Sequence, residues 1–136
     1  MKIFIICSKA FYHKVSPVKS ELEQAGHSII LPNSIDDPGA EAKMLEQGSQ
    51  VHAAWKRDRF AETADKMSTA DAVLVLNFEK NGQANYIGGA TFLEMYDAFM
   101  AGKKIFVYNP LPLGILNDEL NGMDPILLEN DLSNIK

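Results

Sequence analysis

Five short runs of mostly apolar residues constrain the fold of this chain more than anything else in it. They are Lys2–Cys7 (KIFIIC), His27–Leu31 (HSIIL), Asp71–Leu76 (DAVLVL), Lys104–Tyr108 (KIFVY) and Pro125–Leu128 (PILL). A strand with one wet face alternates apolar and polar residues, whereas a strand covered on both faces does not. These runs do not alternate, so they read as buried strands, and longer helical patterns separate them. Val15, Val18, Leu22 and Ala25 recur at helical spacing, with Ser16 read as N-cap, Pro17 as first helical residue and Gly26 as the stop. From Ala40 to Met67 an apolar stripe of Met44, Val51, Trp55, Phe60, Ala64 and Met67 predicts helix, broken into two at Gly48-Ser49. Ala90–Ala101 is a further helix ended by Gly102, and Leu113–Leu120 a short one.

The resulting order, β-α-β-α-α-β-α-β-α-β, predicts an α/β fold. It is a three-layer, doubly wound parallel sheet of about five strands, flavodoxin-like or Rossmann-like. A length of 136 residues suits a single domain spanning residues 1–136. The 13 basic and 18 acidic side chains leave a net charge of −5, which argues against a nucleic-acid polymer as partner. One cysteine, Cys7, excludes a disulfide framework or a Cys-rich zinc site and fits a cytoplasmic setting. No run approaches the ~20 apolar residues of a membrane span. MKIFIICS at the start reads as a strand rather than a targeting peptide.

Doubly wound sheets bind ligands beyond the carboxyl ends of their strands, near the switch in strand order. The loops after Cys7, Leu76 and Tyr108 are therefore the places to look. The first, Ser8-Lys9-Ala10-Phe11-Tyr12-His13, has no glycine and no phosphate-loop signature, so no nucleotide or flavin cofactor is expected. Ser8 offers a hydroxyl, and Phe11 and Tyr12 offer aromatic faces that either pack on a helix or stack on a ligand. The second runs from Asn77 through Tyr86-Ile87-Gly88-Gly89 into a helix. Paired glycines at a helix start let a ligand approach free N–H groups. Glu94 lies just over one turn in, with Ala90, Ala98 and Ala101 on its face; it is either an exposed helix glutamate or a buried functional carboxylate. In the third loop, Asn109 either contacts a ligand or caps the strand turn. Cys7 reads as a small core residue, His13, His27 and His52 lack metal-ligand spacing, and Lys56-Arg57-Asp58-Arg59 reads as a solvated helix face.

Ala70-Asp71 leading into a buried strand, Gly88-Gly89, Glu94 on the next helix and Gly102-Lys103 before another strand form one pattern. Over Ala70–Pro112 it resembles the nucleoside 2-deoxyribosyltransferase-like superfamily, closest to an uncharacterised bacterial branch. The resemblance implies a nucleophilic carboxylate, Glu94, that attacks the anomeric carbon of a deoxyribosyl group and expels the base, with water or a second base resolving the glycosyl-enzyme. A glutamate near a helix N-terminus is favoured in its ionised form, as a nucleophile must be. It further implies that Tyr12 touches the sugar or positions Glu94, and that Ser8, Phe11, Asn77, Tyr86, Gly88, Gly89 and Asn109 surround a small nucleoside or nucleotide. A homo-oligomer whose neighbour completes the pocket is also implied. Family members carry an Asp eight residues before the Asp of Ala-Asp, which assists the leaving base; here that residue is Thr63. Glu62 and Asp65 lie ~100–200° away around a helix, and the loop before the Glu94 helix has only Glu79 as an acid. The alternative reading is therefore a non-catalytic module that binds or senses a nucleotide derivative.

Overall fold

The computed structural model describes residues 1–136. Strands β1 (Lys2–Ile6), β2 (Ser28–Ile30), β3 (Ala72–Val75), β4 (Lys104–Val107) and β5 (Ile126–Leu127) form one sheet in the order β2-β1-β3-β4-β5. Every pairing is parallel, with Ile3 opposite Ala72 and Val73 opposite Ile105. The helices are α1 (Val15–Gln24), α2 (Ala40–Glu46), α3 (Ser49–Thr69), α4 (Gly89–Met100) and α5 (Asn117–Gly122). None is long and apolar enough to cross a membrane.

The two-residue period of the strands divides the core. Ile3, Ile5, Ala72, Leu74 and Phe106 face one layer, packing on Val15, Val18 and Leu22 of α1. Phe4, Ile6, Val73, Val75, Ile105 and Val107 face the other, against Met67 of α3, Met95 and Ala98 of α4, and Leu120 of α5. Each such fully buried large side chain contributes about 1.5–3 kcal/mol, so both faces are strongly specified. Gly26 and Gly102 end α1 and α4 with φ of +93° and +69°, a left-handed turn that a side chain would disfavour.

Four local expectations need correction. The edge strands are not buried on both faces: Ile126 and Leu127 of β5 are exposed and β2 is only partly covered, since the helices pack over the centre of the sheet. Ser16 and Pro17 do not open α1: a 3-10 turn over Lys9–Lys14 runs straight into it, and Ser8 caps that turn by accepting from Ala10 N at 3.4 Å. The last helix is Asn117–Gly122 rather than Leu113–Leu120, because Asn117 Nδ2 ties back to the Pro112 carbonyl and the segment before it stays irregular. The stripe over Ala40–Met67 is not a buried face. Val51 and Phe60 are exposed, and among the 21 residues of α3 only Thr63 and Met67 are fully buried. Instead α3 turns Lys56, Arg59, Thr63 and Lys66 inward. A helix with a polar inner face lines something other than core.

Candidate active site

That polar face borders a cavity of about 310 Å³, large enough for a small organic ligand. It lies beyond the carboxyl ends of β1 and β3, where the connections from the two strands depart to opposite sides of the sheet. Cys7, Ser8 and Tyr12 reach it from the segment after β1, Asn33 and Ser34 from the loop after β2, and Tyr86, Gly88 and Gly89 from the approach to α4. Thr63 on α3 and Glu94 on α4 also line it.

Glu94 is half-buried, and its Oε2 accepts a hydrogen bond from Thr63 Oγ1 at 3.3 Å. Burial pushes its pKa from 4.5 up to about 7, opposed by the Thr63 hydrogen bond and the Lys66 and Lys56 charges and assisted by Asp97. Desolvation thus outweighs any benefit from the helix N-terminus: the carboxylate expected to be favoured in its ionised form has its pKa raised to near neutrality. The small residues on its face do not enclose it: Ala98 is buried, but Ala90 and Ala101 are exposed, and Thr63 supplies the cover. Asp97, although exposed, borders the same cavity.

Tyr12 lines the cavity, but its hydroxyl donates to the Asn33 carbonyl at 2.6 Å rather than to Glu94. Burial, then the neighbouring Cys7 and Glu94, raise its pKa above the ordinary phenol range. Cys7 is pushed up to about 12, by burial first and by Glu94 second, which keeps it a thiol. On the far wall, burial opposes the ionisation of Glu41. Hydrogen bonds from Lys56 at 2.7 Å and His52 at 3.0 Å, with Lys9 at 3.7 Å, prevail and hold it at about 2. Trp55 carries His52 stacked on one side and the Arg59 guanidinium 5.3 Å from its ring centre. Lys56 and Arg59 are therefore cavity residues, not the solvated face expected for that stretch.

Three residues expected at the site lie elsewhere. Phe11 is 3% exposed and sits in the core, edge-on to Phe78 at 5.6 Å. Asn77 and Asn109 bond each other. Asn77 Oδ1 accepts from Asn109 N at 2.9 Å, and Asn77 Nδ2 donates to the carbonyls of Asn109 (3.2 Å) and Pro110 (2.9 Å). Asn109 Nδ2 returns a bond to the Asn77 carbonyl at 2.9 Å. The pair laces the end of β3 to the end of β4. Conversely, the loop after β2 and the inner face of α3 escaped sequence reasoning. The one available signal was Thr63, whose position matched that of a family acid.

No protein-family model matches the chain, and no curated protein matches it. Among solved structures it is similar to the 2-deoxyribosyltransferase of the psychrotolerant bacterium Bacillus psychrosaccharolyticus, a biocatalyst for the synthesis of nucleosides. The TM-score is 0.61 and the identity 19%, over 100% of this chain and 93% of that one. At such identity the likeness speaks for architecture, and it does so over the full length: the chain has a nucleoside 2-deoxyribosyltransferase-like fold.

Proposed function

We propose that this protein cleaves or transfers the N-glycosidic bond of a nucleoside or nucleotide, with Glu94 as nucleophile. The observation that carries the reading is a half-buried carboxylate lining a ligand-sized cavity at the switch point of the sheet. A Glu94 oxygen attacks the anomeric carbon as the carbon–nitrogen bond breaks, and the bonding pair leaves with the base, which takes a proton from solvent. Water or a second base then attacks the same carbon and releases Glu94, so configuration is retained over two displacements. Tyr12 and Tyr86 offer flat walls to a base or sugar, with Tyr86 packed over Gly88, and Gly89 leaves the backbone at the start of α4 open to approach. The cavity size and the net charge of −5 favour one small ligand over a polymer.

A second reading has one observation behind it. Thr63 carries no proton that titrates in the working range, so this position lends no acid to the leaving base, as a binding or sensing module would allow. Incubation with a panel of deoxynucleosides, ribonucleosides and their monophosphates, following free base, decides between the two. Release lost in Glu94→Ala supports the enzyme. Ligand-dependent thermal stabilisation with no release from any substrate supports the module.

A homo-oligomer in a cytoplasmic setting belongs to the same proposal. Leu93, Tyr96, Phe99 and Met100 leave four large apolar side chains exposed on α4, beside the cavity wall that Leu93 itself helps to form. Light scattering should give the wild type a mass well above the 15.1 kDa of one chain. The double change Tyr96→Glu, Met100→Glu should return it to that value. A monomeric wild type would end this part of the reading.

A further inference from the structure

Asn33 and Thr63 lie 30 residues apart in sequence; Thr63 already meets Glu94, whereas the Asn33 side chain has no role so far beyond lining the cavity. The hydrogen bonds of the Asn33 amide have only one consistent direction. Asn33 Nδ2 is 3.1 Å from the Arg59 carbonyl and 2.7 Å from Thr63 Oγ1. A carbonyl only accepts, so the amide must present its nitrogen there and not its oxygen. Both amide hydrogens are then committed, one to Arg59 and one to Thr63. Thr63 Oγ1 receives one of them, so its single hydrogen is free to go to Glu94 Oε2, 3.3 Å away.

We propose that Asn33 and Thr63 form a directional relay that fixes Glu94 Oε2 as a hydrogen-bond acceptor, orienting the carboxylate and favouring its ionised form. Both are positioning residues, and the role deepens the reading of Glu94 as nucleophile and rests on it for its purpose. The arrangement is maintained at a cost. Asn33 Oδ1 and the neighbouring Ser34 Oγ are buried without partners, and Ser34 holds a φ of +63°. Arg59 Nε lies 3.2 Å from Glu62 Oε2 but without hydrogen-bond geometry. All three of these unpartnered atoms belong to residues that line the one cavity. Unsatisfied polar atoms destabilise a fold, so their concentration at one place points to function rather than packing.

The other groups acting on Glu94 are Lys66 and Lys56 from α3, Asp97 from α4, and Cys7 and Tyr12 from the end of β1 and the turn after it. Cys7 and Tyr12 stay neutral through the range in which Glu94 titrates, so the relay can be isolated. The test is the titration of the Glu94 side-chain carboxyl by carbon NMR on 13C-labelled protein, assigned by the signal lost in Glu94→Gln. Thr63→Val should raise the midpoint by about one pH unit, the loss of one hydrogen bond to a charged acceptor. Thr63→Ser, which keeps the hydroxyl, should restore the wild-type midpoint. Asn33→Ala should raise it by less, because the hydroxyl then loses its fixed direction but not its proton. It also provides a second readout should Thr63→Val fail to fold. An unchanged midpoint in either Asn33→Ala or folded Thr63→Val would overturn the relay. No turnover is needed, so the absence of base release would sink the enzymatic reading and leave this result standing.

Discussion

Glu94→Gln should abolish base release and at the same time stabilise the protein, and the stabilisation should grow with pH. Loss of a nucleophile costs at least about 10³-fold in kcat/KM. In the wild type, kcat/KM should rise with pH through a midpoint near 7, because only the ionised carboxylate attacks. Stability runs the other way. Below about pH 4.5 Glu94 is protonated in both folded and unfolded chains, and the folded state carries no penalty. As pH rises, the unfolded chain ionises freely from about 4.5 while the folded chain keeps the proton of a carboxyl held from water, so stability falls from about pH 4.5 and the loss is complete once pH has risen through about 7. The shift from 4.5 to about 7 corresponds to a loss on the order of 3 kcal/mol once ionisation is complete. Glutamine carries no charge at any pH, and its amide oxygen can still accept from Thr63. The melting temperature of Glu94→Gln should therefore match the wild type near pH 4.5 and exceed it by roughly 10 °C at pH 8. A difference that stays constant over that range would show that Glu94 is solvated rather than held from water.

This opposition between activity and stability also explains which parts of the molecule could be read from sequence. Strands buried on both faces must be apolar throughout, and helices must stop where Gly26 and Gly102 permit a left-handed turn, so the architecture is written in local patterns. Glu94 was accessible for a similar reason: the switch-point rule needs only the order of elements. The opposite wall of the cavity follows no such rule. Periodicity assumes that the apolar stripe of a helix faces the core, but α3 points Val51 and Phe60 outward and Thr63 inward. Asn33 reaches Thr63 only because the crossover after β2 folds back across the sheet end, a placement that depends on tertiary geometry. Phe11 misled for the converse reason. An aromatic beyond a strand end can stack on a ligand or close the core, and its edge-on contact with Phe78 commits it to the core.

Asn77→Ala should be among the most destabilising single changes in the chain while leaving the cavity walls intact. Asn77 is 0% exposed, and its side chain makes three hydrogen bonds, all to backbone just beyond β4. Alanine leaves Asn109 N and the carbonyls of Asn109 and Pro110 without these partners. Each unsatisfied group costs about 1–3 kcal/mol when buried; Asn109 is half-buried and Pro110 exposed, so water relieves part of this and the expected loss is about 2–4 kcal/mol by urea unfolding. Asn77→Asp separates hydrogen bonding from size. One carboxylate oxygen still accepts from Asn109 N, but the other replaces a donor facing two carbonyl oxygens, a repulsive arrangement for a side chain that is itself 0% exposed. Its instability should be worst at neutral pH and partly relieved in acid, where a protonated carboxyl can donate to one of those carbonyls. At temperatures where they remain folded, both variants should bind ligand as the wild type does, since Asn77 does not line the cavity. If Asn77→Ala instead kept full stability and lost ligand affinity, Asn77 would be a recognition residue, and the strap between β3 and β4 would have to be held by the return bond from Asn109 alone.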